Sequence, residues 1–317
     1  MSIVKRKIDV PDYIDGHQPV TLKSMGNIQK ITITNSLNRK ATVIPLSKND
    51  YIVVSTGEVK KVEHHAEDRT ENLRNLEKSM RALSDLINAN ISPENAHFCR
   101  FITLTYKENI QNPEQLYKDF RNFNKRVKRF MEKQNYHYEY IVTVEAQERG
   151  AFHLHCIFIF DKKAPYIDNS KLAEIWGLGF VSVKAIDNNV DNIGKYLTAY
   201  LTDLPIDNNA DISTDVIGGT IKDVKNGDKT KRIIKGARLK LLPVGIRLFR
   251  YSRGIKKPIV YETTYNEAVK ALSDNGYKKV AEYAVEIFDT ERNFTNRYIK
   301  ENYKKFINTK GVKNHDT

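Results

Sequence analysis

An α+β fold is the class this sequence predicts, and three patterns carry the expectation. Apolar and polar residues alternate over parts of the first 66 residues, as in KITITNS around Ile31 and Ile33. Two later stretches, 70–90 and 113–130, repeat apolar residues every three or four positions. Between them and beyond, short β-branched and aromatic runs flank turn signals, most plainly on either side of Arg149-Gly150.

In chain order, residues 1–66 read as strands and turns, with NDYIVVSTGEV following an Asn-Asp turn signal. Composition shifts near Asp68, and Leu73, Leu76, Met80, Leu83, Leu86 and Ile87 then mark an amphipathic helix. ISPENAH ends it, and FITLTYKEN (101–109) reads as a strand. Pro113 suits the first turn of the next helix, whose stripe is Leu116, Phe120, Phe123, Val127 and Phe130. Its opposite face holds Lys118, Arg121, Lys125, Arg126, Lys128 and Arg129, a solvated face or a DNA contact. YEYIVTVEAQERGAFHLHCIFIF predicts a hairpin, followed by a helix at 172–176, a strand in GFVSVKAI and a helix over 190–202. Pro205 and IDNNADISTD read as a linker, KDVKNGDKTKR as turn-rich, and RLKLLPVGIRLFRYSRG as strand-like. The end reads as helical, at 265–272 and 289–307. These shifts divide the chain into a strand-rich region 1–66, a central domain 67–205, and a basic α/β C-terminal region 206–317.

Composition narrows the function classes. Lys and Arg number 52 against 39 Asp and Glu, a net +13, and a sequence pI near 9.4 favours an anionic partner such as nucleic acid. No apolar run approaches the ~18 residues of a spanning helix, which argues against a membrane protein. MSIVKRKIDV has no apolar core of a secretory signal, and two cysteines, Cys99 and Cys156, fit a reduced cytoplasm. Gly227-Asp228-Lys229-Thr230 lacks the spacing of a phosphate-cradling loop, so an internal NTPase is not expected.

The most informative stretch runs from Glu145 to His155. On a strand, His153 and His155 share a face. A hairpin folded symmetrically about Arg149 sets Glu145 opposite His153, with β-carbons ~5 Å apart. Two imidazoles and a carboxylate then converge, with Gln147 as a further oxygen ligand, and a one-residue slip would break the group. Three protein ligands with open positions make a catalytic rather than a structural metal arrangement. The N/O donor set suits Mg²⁺ or Mn²⁺ when phosphate completes the shell, and imidazole also takes Zn²⁺ or Co²⁺. The bland alternative is a hydrogen-bonded histidine pair in a sheet.

Downstream, Tyr196 and Tyr200 sit at i and i+4, on one face of the expected helix. With a phenol pKa of ~10, tyrosine attacks a phosphodiester only when another group polarises the phosphate, which a metal does. Packing or stacking is the ordinary role of such a pair.

Taken in order, FITLTY (101–106), E-x-Q-x-R-G-A-x-H-x-H (145–155), W-G-x-G-F-V (176–181) and KYLTAYLTD (195–203) resemble the HUH endonuclease superfamily. Within it the likeness is to rolling-circle replication initiators (Rep proteins) of bacterial plasmids and phages, and KGARLKLLPVGIRLFRYSRGIKKP (235–258) resembles that group too. The resemblance implies a central antiparallel sheet flanked by helices, and a Mg²⁺ or Mn²⁺ ion held by His153, His155 and Glu145. It implies Tyr196 and Tyr200 as nucleophiles, Tyr196 first, forming a 5′-phosphotyrosine on single-stranded or hairpin origin DNA. The family helix often carries a lysine three residues after a tyrosine; Ala199 and Asp203 stand there instead, and Lys195 is the nearest cation. Arg247, Arg250, Arg253, Lys256 and Lys257, near Phe249 and Tyr251, supply charge and rings for single-stranded DNA. A host helicase and DNA polymerase, in a bacterial cytoplasm, would complete replication. A transposase or relaxase with the same chemistry, and a regulator that binds the origin without cutting, are the alternatives.

Overall fold

A computed structural model describes residues 3–35, 43–47, 49–61, 73–146, 150–186, 193–194, 197–198, 204–206, 221–226, 229–234, 242–243, 246–289 and 294–306. The chain divides into two compact units, Met1–His65 with Pro258–Thr317, and Ala66–Lys257. The sequence divides it instead at 66/67 and 205/206. The difference arises because the last strands pair with the first ones, a long-range choice that composition does not register.

In the first unit, β1 (Ile3–Ile8), β2 (Pro19–Met25), β3 (Ile28–Thr34), β4 (Val43–Pro45), β5 (Asp50–Val53) and β6 (Val59–Lys61) precede the break to the second unit. From the chain's end come β15 (Ile259–Thr264), α4 (Tyr265–Asp274), β16 (Tyr277–Asp289) and β17 (Phe294–Lys305). They form a six-stranded sheet, β1-β16-β17-β3-β2-β15, and a three-stranded one, β4-β5-β6. A reciprocal Thr264–Glu267 capping box starts α4. Its Ala268 and Leu272 pack on Val20, Ile31, Ile33 and Tyr303. The helix expected over 289–307 is corrected here: described residues 294–305 are strand. Ile299, Glu301 and Tyr303 alternate with Lys300 and Asn302 across the pleat, a period of two that the run of lysines disguises. Glu301, fully buried, accepts from the Tyr265 and Tyr303 hydroxyls and from Lys279 Nζ, so this unit holds its buried carboxylate by a closed network.

The second unit holds α1 (Leu73–Asn88), β7 (Cys99–Thr105), α2 (Pro113–Glu132), β8 (Tyr138–Ala146), β9 (Phe152–Phe160), α3 (Asn169–Trp176) and β10 (Val181–Ala185). After these come β11 (Leu204–Ile206), β12 (Ile221–Asn226), β13 (Lys229–Ile234) and β14 (Phe249–Tyr251). Residues 193–194 and 197–198 are helical. Pro205, expected in a linker, lies in β11 at the edge of the sheet β11-β13-β12, the position where a missing N–H disturbs least.

The central sheet of this unit runs β10-β7-β9-β8-β14, with every neighbour antiparallel. Strand alternation gives it two different faces. One, built from Ile102, Leu104, Val142, Val144, Leu154, Cys156 and Phe158, is covered by α2 through Leu116, Phe120, Phe123, Val127 and Met131, and by Leu172 and Trp176 of α3. The other carries Phe101, Ile141 and Ile157 under Leu83, Leu86 and Ile87 of α1, together with Ile193 and Leu197. Full burial of such side chains contributes about 2 kcal/mol each, which fixes both layers on the sheet. Both cysteines are buried free thiols. The architecture is therefore α+β with antiparallel sheets and flanking helices.

Candidate metal centre

The β8–β9 register is the one that symmetric folding about Arg149 requires. Glu145 pairs with His153, and Thr143 with His155. On the other side, β7 sets Thr105 beside His153 and Thr103 beside His155. Three rows thus cross the α1-facing side of the sheet: Thr105–His153–Glu145, then Thr103–His155–Thr143, then Phe101–Ile157–Ile141. The last row lies under helices, while the first stands at the hairpin end. A polar group is possible there because the apolar cover stops short of it.

Glu145, His153 and His155 offer ligand atoms that all lie within 4.8 Å of one another. Glu145 and His155 are only 4% and 3% exposed, and His155 Nε2 touches Glu145 Oε2 directly. Burial pushes the His155 ring down to about 4, so at neutral pH it is uncharged, the state that ligates metals. Thr103 Oγ1 lies 3.1 Å from His155 Nδ1, and Phe101 stacks on the same ring at 5.5 Å. A neutral imidazole carries one N–H, and a hydroxyl serves Nδ1 as acceptor or donor. With Nδ1–H donating to Thr103, Nε2 turns a lone pair toward Glu145 and His153, the outer-sphere arrangement that orients a metal ligand. Two imidazoles and one carboxylate form a donor set that suits a divalent ion with open positions.

Thr103 and Phe101 are absent from the sequence-based site. The available signal is the alternation of Phe101, Thr103 and Thr105 in FITLTY, which puts two hydroxyls on the face that receives the histidines. Thr103→Val keeps the shape and removes the Nδ1 partner. It is expected to weaken Mn²⁺ binding about 10- to 100-fold in a calorimetric titration; unchanged affinity would remove Thr103 from the site.

The remaining sequence candidates scatter. Gln147, Lys195, Tyr196 and Tyr200 lie outside the described residues. What is described of the tyrosine-bearing segment, Ile193 and Leu197, packs on the same face of the sheet as the histidines. There the Gly194 N–H donates to Asn88 Oδ1 at 2.9 Å, and Thr198 Oγ1 donates to the Gly194 carbonyl at 2.7 Å. Arg250 alternates to the opposite face, where its guanidinium lies 3.3 Å from the ring centre of Tyr117. Arg247, Arg253, Lys256 and Lys257 are exposed. The loop carrying the last three is tied to α1 by reciprocal bonds between Asn90 and the Lys256 backbone. The basic face of α2 is exposed but belongs to the helix on the far side of the sheet, and its Arg126 bonds the carbonyls of Ile175 and Trp176.

Fold and site together define an antiparallel α+β domain with a buried two-histidine, one-carboxylate group fit for a divalent ion. The sequence comparison adds a family: residues 99–204, about a third of the 317-residue chain, match the model of the Replication-associated protein ORF2 family. That span runs from the first residue of β7 to the first of β11 and contains all three members of the group. A search of curated proteins returned no match. No helix among the described residues is long and apolar enough to cross a membrane.

Proposed function

We propose that this protein initiates rolling-circle replication as a metal-dependent HUH endonuclease and strand transferase, cutting one strand of origin DNA and keeping its 5′ end on a tyrosine. The observation that carries the reading is the convergence of Glu145, His153 and His155 inside the stretch that matches a replication-associated family. The packing of Ile193 and Leu197 on that same sheet face supports a tyrosine-bearing segment close to the group.

Glu145, His153 and His155 would hold the Mg²⁺ or Mn²⁺ ion, which when bound lends Lewis acidity to a phosphodiester. Thr103 fixes the orientation of His155. The phenol oxygen of Tyr196 attacks phosphorus. The bond from phosphorus to the 3′ oxygen breaks, and that oxygen leaves with the electron pair and takes up a proton. A 5′-phosphotyrosine and a free 3′-OH result, the latter a primer for synthesis. Tyr200 repeats the exchange on the displaced strand. Lys195, Arg247, Arg253, Lys256 and Lys257 neutralise phosphates, whereas Arg250, stacked on Tyr117, serves packing. A host helicase and polymerase supply unwinding and synthesis.

The test incubates wild type, Tyr196→Phe, Tyr200→Phe and the double variant with labelled single strands from candidate origins and Mn²⁺, and resolves them on a denaturing gel. A covalent adduct in wild type, lost in the double variant and on chelation, is expected. Cleavage without an adduct would make metal-activated water the nucleophile. Tight binding with neither product would replace the nicking reading by a non-cutting regulator.

A further inference from the structure

The motif W-G-L-G-F-V (176–181) contributes nothing to the chemistry above, and the structure gives its residues separate tasks. Trp176 is fully buried, and its Nε1–H donates to the Thr105 carbonyl at 3.1 Å. Gly179 has φ +149°, and a Cβ there would lie 2.3 Å from the Thr105 oxygen and 2.6 Å from the Lys107 nitrogen. Only glycine lets the chain run this close to β7. The approach is locked by two backbone bonds of 2.8 Å, from Thr105 N–H to the Phe180 carbonyl and from Lys107 N–H to the Leu178 carbonyl. Phe180 is the exception to this burial: its backbone is pinned, yet the residue is 78% exposed.

An exposed phenylalanine alone means little. Its register gives it meaning. β10 pairs Val181 with Leu104 and Ser182 with Thr103, so the next step outward sets Phe180 opposite Thr105. Directly opposed residues share a face. Phe180 therefore heads the row Phe180–Thr105–His153–Glu145, two strand spacings, or about 10 Å, from His153. Along the edge strand on that face follow Ser182 and the exposed Lys184, the latter about 13 Å from Phe180. An aromatic ring, a hydroxyl and a cation thus line the edge beside the metal group.

We infer that Phe180 is a stacking platform for an unpaired nucleobase of the DNA strand, next to the phosphate held at Glu145, His153 and His155, with Lys184 contacting the backbone of the same strand. This placement rests on the nicking reading; stacking itself does not need it. Base–aromatic stacking tolerates any sequence and is worth about 1–3 kcal/mol per base. A ring held by a rigid backbone loses little freedom on binding, and an edge strand leaves room for a single strand but not for a stacked duplex.

The experiment measures the affinity of the full chain for two fluorescein-labelled probes, a mixed-sequence single strand and an abasic strand of equal length. Wild type, Phe180→Ala, Phe180→Tyr and Phe180→Leu are compared. Phe180→Ala is expected to weaken binding of the base-bearing strand on the order of tenfold or more, and to leave the abasic strand unaffected. Phe180→Tyr should restore wild-type affinity and Phe180→Leu should not, since bulk without a π-face does not stack. Thermal midpoints should coincide, because the ring is solvent-exposed. Equal affinity of Phe180→Ala and wild type for the base-bearing strand overturns the inference, and so does an equal loss on both probes. The nicking reading fails separately, by absence of the wild-type adduct, whatever these affinities are.

Discussion

Alanine at His155 is expected to abolish divalent-ion binding and adduct formation together, and to lower stability by about 3 kcal/mol. The first loss follows from the donor count: of three ligand atoms within 4.8 Å, one disappears, and the two that remain do not hold a labile ion against water. The second follows from burial. Glu145 is 4% exposed and touches the ring that is removed, so its charge stays in a low-dielectric site with less compensation. Phe101 also loses the ring it stacks on. Calorimetric titration with Mn²⁺ and a urea unfolding curve measure the two effects independently. A companion variant separates them: adding Glu145→Gln to His155→Ala removes the buried charge and should recover much of the stability, while Mn²⁺ binding stays absent. Retention of Mn²⁺ affinity by His155→Ala would move the metal site elsewhere.

Valine at Gly194 is expected to spare the metal and disable strand transfer. A Cβ at this position would sit 2.3 Å from the Ser84 carbonyl oxygen and 2.8 Å from Asn88 Oδ1. Backbone on one side and a buried side chain on the other leave the added carbons no exit. The segment that carries Ile193 and Leu197 must then lift from α1, and overpacking of this kind costs about 1–3 kcal/mol. The ligands on β8 and β9 belong to the sheet and do not move with it. A displacement of about 1 Å in a nucleophile lowers rate by roughly 100-fold, so adduct formation should fall by that order while Mn²⁺ affinity holds. Gly194→Ala should fall between the two. Wild-type adduct yield in Gly194→Val would show that the position of this segment does not govern the reaction. Asn88→Ala, which removes the acceptor of the Gly194 N–H without adding bulk, provides a milder version of the same displacement.

Much of the site is legible without coordinates because its logic is local. In a hairpin the turn fixes the register, so the distance from Arg149 to Glu145 on one arm and to His153 on the other is enough to pair them. The amphipathic stripe of α2 and the alternation of β7 are likewise written in neighbouring residues, and both are present where the pattern puts them. Local reading fails where partners are distant. The strand at 294–305 looks helical through its lysines, and only pairing with β3 and β16 selects the extended form. The basic residues of α2 read as a DNA contact beside the histidines, yet the helix buries its apolar stripe against the other face of the sheet.

The same division runs through the second coordination layer. His153 and His155 stand out in the sequence, but Thr103 joins them only because β7 lies next to β9, fifty-two residues away in the chain. Phe180 is marked in a motif, but its exposure and its place in the row with His153 depend on how Gly179 presses against β7. By itself the sequence determined the α+β class, the paired ligands of one hairpin and the basic character that points to an anionic partner. Tertiary structure alone decided which sheet face each helix covers, which cations share the face of the metal group, and that the chain's two ends build one sheet. The physical reason is range: side-chain alternation and turn geometry act over a few residues, whereas the choice of strand neighbours and helix faces is made by burial across the whole fold.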